Sequence, residues 1–98
     1  MLNEVINLLD LPDEDYWYDE GSSQARTRID GEGQTLLPRI AEVWSTWPEL
    51  RQTHLAYILG EGSSSLEREI LELMALSKSP EVSFRARESI RSAESPNT

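Results

Sequence analysis

From residue 35 onward, the chain is divided by residues that begin and end helices. Ser64 and Glu67 have the spacing of a capping box, in which each side chain satisfies the other residue's backbone N–H. Ser79 can cap the helix that Pro80 opens, since proline costs little in a first turn. Apolar residues recur at helical intervals between these signals, and no segment alternates as a strand does. The sequence predicts an all-α fold whose body has four helices, beginning at Thr35, Pro48, Ser64 and Pro80.

Other residues predict how the first of these helices begins and how the second one ends. Thr35 is expected to cap the first helix, with Pro38 in the first turn, where a missing N–H matters little. Gly60 and Gly62 are expected to end the second helix in the left-handed conformation that glycine accepts. The connections are short, which predicts antiparallel pairs of helices.

The first third of the chain has weaker helix signals. Residues 2–9 have the spacing of a short amphipathic helix, which Pro12 is expected to end. Residues 10–23, with the sequence DLPDEDYWYDEGSS, predict an acidic and turn-rich segment. A serine at the end of this segment could cap a weak helix, which the glycines at positions 31 and 33 are expected to break.

At 98 residues, the chain has room for one hydrophobic core and therefore for one domain, residues 1–98. An N-terminal helix and the acidic segment are expected in residues 1–33, two helix pairs in residues 34–93, and a polar tail in residues 94–98. Neither a secretory signal nor a long apolar run is found, and the absence of cysteine fits a reducing compartment. The expected location is the cytoplasm.

The charge of the chain is negative and concentrated near its start. Eighteen acidic and nine basic residues give a formal net charge of −9, of which residues 1–33 carry −7. Such a region repels phosphate groups, so neither a nucleic acid nor an anionic membrane is expected as a partner. A basic protein is expected instead, because complementary charge steers encounter and helps to select the partner.

The residue types that most catalytic and metal sites need are scarce. The chain has no cysteine, and His54 is its only histidine, so we interpret His54 as a packing residue rather than a catalytic base. Asp13, Asp15 and Asp19 suggest calcium ligands, but the segment lacks the central glycine and closing glutamate of an EF-hand. We expect no metal site, no cofactor and no enzymatic activity. An enzyme that uses a carboxylate-bound metal is the least favoured alternative.

The acidic segment is the first candidate binding surface. Six of the eleven residues from Asp10 to Glu20 are acidic, and three aromatic residues lie among them. Tyrosine and tryptophan often anchor interfaces, and acids beside them could pair with lysines or arginines of a partner. In an alternative interpretation, which is compatible with the first, the aromatic side chains fold back to cover the first helices. The candidate contact residues are Asp13, Glu14, Asp15, Tyr16, Trp17, Tyr18, Asp19 and Glu20.

The two predicted helix pairs repeat at a spacing of 31 residues, which aligns Leu55 with Ala86 and Leu59 with Ile90. The second helix of each pair resembles that of HEAT-like repeats, in which proline opens the helix and small and apolar residues follow. This resemblance covers residues 35–93. It rests on Pro48, Leu55, Ala56, Leu59 and Gly60 in one pair and on Pro80, Val82, Ala86 and Ile90 in the other.

Two features depart from the HEAT-like pattern: Ser83 stands where arginine is usual, and Leu50-Arg51 is out of register by one residue. The resemblance implies antiparallel pairs stacked as a short solenoid behind the N-terminal helix. In such stacks the second helices line a concave surface, which is the second candidate binding surface, although an ordinary polar helix face would have the same pattern. Its expected exposed residues are Gln52, Tyr57, Arg85 and Glu88.

The whole chain also resembles small bacterial HEAT-like immunity proteins, which are partners of secreted toxins. The features in common are a leucine-rich first helix, the DLPDEDYWYDEGSS segment and the LAYILGEGSS turn. The resemblance implies an inhibitor that occludes the active site of a toxin, here a basic one. The alternative is a small helical adaptor or regulatory subunit of a larger assembly.

Overall fold

The computed structural model describes residues 2–60 and 64–94. These residues are helical with short connections and contain no strand, which confirms the all-α class. The helices are α1 (Leu2–Leu9), α2 (Glu14–Tyr16), α3 (Ser22–Val43), α4 (Glu49–Leu59), α5 (Ser65–Met74) and α6 (Pro80–Glu94). A π-helical turn (Trp17–Gly21) joins α2 to α3, and a 3-10 turn (Trp44–Thr46) follows α3. Within the described ranges, no helix combines the length and apolarity that a membrane span requires.

Several helix boundaries lie where local signals predicted them. The first helix covers the expected residues 2–9, and α4 begins directly after Pro48. The hydroxyl of Ser64 accepts a hydrogen bond from the backbone N–H of Glu67 at 3.1 Å, as a capping box requires. The hydroxyl of Ser79 accepts one from the backbone N–H of Val82 at 3.4 Å. The predicted end of the second helix at positions 61 and 62 and the tail at positions 95–98 lie outside the described residues.

The acidic segment is helical from Glu14 onward, where the expectation of a turn-rich segment was wrong, whereas residues 10–13 lie outside helix. Asp13 caps the helix, since its Oδ1 accepts a hydrogen bond from the backbone N–H of Tyr16 at 3.2 Å. Acidic residues in a first turn suit the positive end of the helix dipole, which favours this start. The serines expected to begin a later helix therefore lie inside a longer one, and Ser22 donates to the carbonyl of Tyr18 at 3.1 Å.

Two helices meet at a kink within α3 between the glycines at positions 31 and 33, where the sequence predicted a break. Glu32, between them, leaves the helical region with φ −128° and ψ 21°, and the helix then resumes. Thr35, expected as a cap, and Pro38, expected in a first turn, consequently lie inside α3. A proline ring clashes with the carbonyl four residues earlier, which favours a bend in the preceding turns.

The hydrophobic core lies where α1, α3 and α5 pack around α4 and α6. Its fully buried large apolar side chains include Leu9, Ile29, Leu36, Ile40, Leu55, Ile58, Leu59, Ile70, Leu71 and Met74. Four large apolar side chains are exposed, namely those of Leu50, Leu73, Leu76 and Phe84. Phe84 lies two residues from both Val82 and Ala86, about 200° around the helix, so these cannot share one face.

Gly60 follows α4 as predicted, but its conformation was predicted wrongly. Its φ of −68° and ψ of −15° are right-handed. A Cβ at this position would lie 2.6 Å from the Cβ of Ser89 on α6. The Ser89 hydroxyl also donates to the carbonyl of Ala56 at 2.7 Å, which joins the two helices at this point. Close packing of α6 on α4, rather than a left-handed turn, therefore requires a glycine at position 60.

Candidate protein-binding surface

Trp17 fixes the acidic segment to the helical body. Its side chain is 0% exposed, and it stacks on His54 of α4 with 4.2 Å between ring centroids and 15° between ring planes. The backbone of Gly21 packs closely over the indole, because a Cβ there would lie 2.9 Å from Cε3 of Trp17. Trp17 was expected to contact a partner, and the structure corrects this expectation. Its burial matches the alternative interpretation, in which an aromatic side chain folds back on the body.

His54 packs in the core, as we interpreted it from the sequence. It is 2% exposed, and its Nδ1 lies 2.7 Å from the carbonyl oxygen of Leu9 at the end of α1. Because a carbonyl can only accept, Nδ1 carries the proton of this hydrogen bond. The imidazole thus joins the C-terminus of α1 to the indole of Trp17. The indole Nε1 of Trp17 is itself buried, and none of the described residues forms a hydrogen bond with it.

The remaining side chains of the acidic segment stay at the surface. Tyr16 is 46% exposed and Tyr18 is 42% exposed. The π-helical turn explains part of this arrangement: the N–H of Ser22 donates to the carbonyl of Trp17 five residues earlier, which widens the helix around the indole. The exposed carboxylates are those of Asp13, Glu14, Asp15, Asp19 and Glu20.

Asp10, the first residue of the acidic segment, is already neutralised by the protein itself. Its two carboxylate oxygens accept hydrogen bonds from Nε and Nη2 of Arg51, both at 2.9 Å. The guanidinium of Arg51 also lies 5.3 Å from the centroid of the Trp47 ring. Asp10 therefore holds the start of the segment against α4, and we do not include it in the candidate surface.

Tyr57 joins the two candidate surfaces into one. The ring of Tyr18 meets the ring of Tyr57 edge to face, with 5.1 Å between centroids and 84° between planes. On its other side, the Tyr57 ring lies 5.5 Å from the guanidinium carbon of Arg85 on α6. The acidic segment and the α4–α6 face are therefore contiguous. Sequence reasoning missed this contact, because residues 18, 57 and 85 are brought together only by the fold.

The four residues predicted on the second surface have different surroundings, and all are half-buried rather than exposed. Tyr57, Arg85 and Glu88 line a pocket of about 250 Å³ between α4 and α6. Gln52 does not line this pocket, and its Nε2 donates to the carbonyl of Trp47 at 2.8 Å. The other lining residues of the pocket are Gly60, Ser89 and Ser92.

A buried ion cluster, which sequence reasoning also missed, joins α3, α4 and α5. Arg26 is 8% exposed and donates to Asp30, to the carbonyl of Ile58 at 2.9 Å and to Glu67 at 2.5 Å. Burial alone would lower the pKa of Arg26, but hydrogen bonds and charge from Glu67 and Asp30 raise it above its usual value. The spacing of Arg26 and Asp30 suits a helical ion pair and could have been noticed in the sequence.

Glu67 could not have been assigned to this cluster from the sequence. The capping box predicted that its carboxylate would bind the backbone of Ser64, whereas Oε1 accepts from Arg26, which is 41 residues away along the chain. The cluster and the bend of α3 border a second pocket of about 730 Å³, whose apolar walls include Ile29, Leu37 and Leu66. Among residues 2–60 and 64–94, no three histidine, aspartate or glutamate side chains are placed to hold a metal ion.

The geometry therefore forms one continuous surface, from the exposed acids and tyrosines of residues 13–20 to the pocket on α4 and α6. Comparisons with known proteins add no family assignment to this description. The chain matches no family model, and it matches neither a curated protein sequence nor a solved structure.

Proposed function

We propose that this protein binds a basic protein partner through the surface formed by residues 13–20 together with Tyr57, Arg85 and Glu88. We further propose that it acts as an immunity-type inhibitor, which neutralises a bacterial toxin in the cytoplasm by occluding the toxin's active site. The observation that carries the proposal is the contrast within one helical segment. Trp17 is buried as an anchor, while Tyr16, Tyr18 and five carboxylates face outward.

A fixed segment is better suited to recognition than a loose acidic loop. The stacking of Trp17 on His54 and the edge-to-face contact of Tyr18 with Tyr57 hold the segment in place before any partner arrives. Binding then costs less conformational entropy, because fewer side chains and backbone torsions must be ordered. Exposed tyrosines on a rigid base are typical interface anchors. These contacts support a role in protein binding.

The charge of the segment supports a basic partner. Five carboxylates lie within eight consecutive residues, and they are exposed, whereas Asp10 is neutralised by Arg51. A dense group of exposed carboxylates attracts lysine and arginine side chains and accelerates their encounter. The aromatic side chains between them would then supply the short-range contacts.

The packing of the helices is compatible with the HEAT-like arrangement that we propose for residues 35–93. Such a stack needs neighbouring second helices, and α4 lies directly against α6 in the contact made by Gly60 and Ser89. It also needs each pair to pack closely within itself, as α5 does on α6. In this arrangement Tyr57 and Arg85 belong to the second helices that face a partner.

The electrostatic part of this proposal can be tested with two variants of equal charge. One variant carries Glu14→Gln, Asp15→Asn and Asp19→Asn on the acidic segment. The matched control carries Glu42→Gln, Glu69→Gln and Glu81→Gln at exposed positions on α3, α5 and α6. We expect the first variant to associate about tenfold more slowly with the product of the adjacent gene and to lose most of the salt dependence. Stopped-flow association at several salt concentrations measures both.

Equal rates and equal salt dependence for the two variants would contradict the proposed surface. The inhibitory role is tested separately, by expressing the adjacent gene product in cells with and without this protein. We expect growth arrest that only coexpression relieves. A stable complex with a partner that does not arrest growth would instead favour the adaptor role.

A further inference from the structure

The pocket between α4 and α6 contains a guanidinium that forms no ion pair with the described residues. Arg85 is half-buried there, and its guanidinium lies over the Tyr57 ring at 5.5 Å. Within residues 2–60 and 64–94, no carboxylate pairs with it. The neighbouring carboxylate, Glu88, pairs with Arg91 at 3.5 Å instead. The pocket therefore presents a cation that the described part of the chain does not neutralise.

Arg85 differs in this respect from most arginines of the protein. Carboxylates pair with Arg26, Arg28, Arg51, Arg68 and Arg91. Arg87 donates to the hydroxyl of Ser83 at 2.6 Å, and Arg39 is exposed to solvent. In a chain with twice as many acidic as basic residues, a half-buried arginine without a carboxylate partner is unexpected.

We propose that this pocket is a carboxylate-binding site, which takes one aspartate or glutamate side chain of the protein partner. The inference rests on the proposed function, because it assigns one contact of the proposed surface. A guanidinium presents its donors in a planar fork that matches a carboxylate, and partial burial strengthens such a pair. The pocket volume of about 250 Å³ suits a single short side chain.

The surroundings select a carboxylate on a basic protein over other anions. A nucleic-acid backbone would bring a long row of phosphates against the five exposed carboxylates of residues 13–20, which lie next to Tyr57 through Tyr18. A basic protein surface with one acidic residue complements the charge of both the Arg85 pocket and the acidic segment. The acidic residue enters the pocket, and the basic residues around it meet the acidic segment. Such a mixed pattern rejects partners that are merely basic, because they leave Arg85 unpaired.

The test uses two capped heptapeptides, each with six lysines and either a glutamate or a glutamine at the centre. Net charge alone makes the glutamate peptide the weaker ligand of an acidic protein, because it has one positive charge fewer. We expect the opposite order, with the glutamate peptide binding about threefold more tightly in isothermal titration at low salt. In Arg85→Gln this advantage is expected to disappear. In the control Arg39→Gln, which changes the net charge equally at an exposed position, it is expected to persist.

The carboxylate site would be overturned if the two peptides bound wild-type protein equally, or if the advantage of the glutamate peptide survived in Arg85→Gln. Either result would leave the proposed function in place. Binding of neither peptide would contradict the electrostatic basis of the proposed function. The site is then judged by titrating the α-amide of N-acetylglutamate, whose only carboxylate is that of the side chain, against the carboxylate-free α-amide of N-acetylglutamine while the Nε–Hε resonance of Arg85 is recorded by NMR. A saturable shift with the first compound alone supports the site, and its absence overturns it.

Discussion

Two close-packed junctions involve a glycine: Gly21 packs on Leu11 and Trp17 within the acidic segment, and Gly60 at the end of α4 packs on Ser89 of α6. The two junctions differ in how well they tolerate an added side chain. Both glycines are right-handed, and at both a Cβ would lie 2.6 Å from a neighbouring atom. At Gly21 that atom is Cδ1 of Leu11, the end of a side chain that can rotate. At Gly60 the neighbour is Ser89, whose Cβ and backbone Cα are both close, the latter at 3.1 Å.

The contact at Gly60 is rigid because it involves the backbone of Ser89, whereas the contact at Gly21 can adjust because the Leu11 side chain can rotate. The contact of α4 with α6 fixes Tyr57 and Arg85 on neighbouring helices and thereby defines the pocket. The stacking of Trp17 on His54 carries the acidic segment to the same place, where Tyr18 meets Tyr57. Substitutions at the two junctions should therefore affect the candidate surface in different ways.

The largest effect is expected from Trp17→Ala, which removes the anchor of the acidic segment. Loss of a fully buried tryptophan should lower the free energy of unfolding by about 3–5 kcal/mol. Denaturant unfolding followed by circular dichroism measures this change. Tyr18→Ala is the matched control, since its side chain is 42% exposed and should cost less than about 1 kcal/mol. Similar losses in the two variants would mean that the indole is not the anchor.

Gly60→Ala should have the next largest effect, because it forces α6 away from α4. We expect a loss of about 3 kcal/mol, the upper end for overpacking, since Ser89 cannot move without its backbone. Adding Ser89→Gly should restore part of the loss. Gly31→Ala is the control, because a Cβ there meets nothing within 4 Å, and it should stabilise α3 by up to about 1 kcal/mol. A neutral Gly60→Ala variant would contradict the close contact.

Gly21→Ala should have the smallest of the three effects. Leu11 can rotate out of the way, so only the contact with the rigid Trp17 ring remains, and we expect a loss of about 1 kcal/mol. When Leu11→Ala is already present, adding Gly21→Ala should lower the free energy of unfolding by less than it does in the wild-type chain. A loss as large as that of Gly60→Ala would show that the two junctions are equally rigid.

Local signals predicted most of the helical body correctly. Ser64 and Ser79 cap their helices through contacts three residues away, and Pro48 precedes α4. Such contacts depend on neighbouring residues alone, so they can be inferred from a sequence. Gly60 was correctly expected to end α4, but its conformation was not, because its neighbour is Ser89, 29 residues later.

Long-range contacts decided the secondary structure of the acidic segment. From its composition, we expected turns over residues 10–23, but Trp17 packs on His54, 37 residues later, and the segment forms helix around that anchor. Burial of a large aromatic side chain outweighs weak local preferences. The same contact decided which aromatic side chain is buried and which two remain at the surface.

The sequence by itself determined the all-α class, most helix starts, the position of the acidic residues and the packing role of the only histidine. Each follows from the spacing of residues along one segment or from which residue types are present. Only the tertiary structure decided that Glu67 neutralises Arg26, that Arg85 lies in a pocket where none of the described carboxylates pairs with it, and that Tyr18 and Tyr57 join two surfaces into one. These arrangements depend on pairs more than 20 residues apart, whose contact is set by how whole helices pack rather than by any local preference.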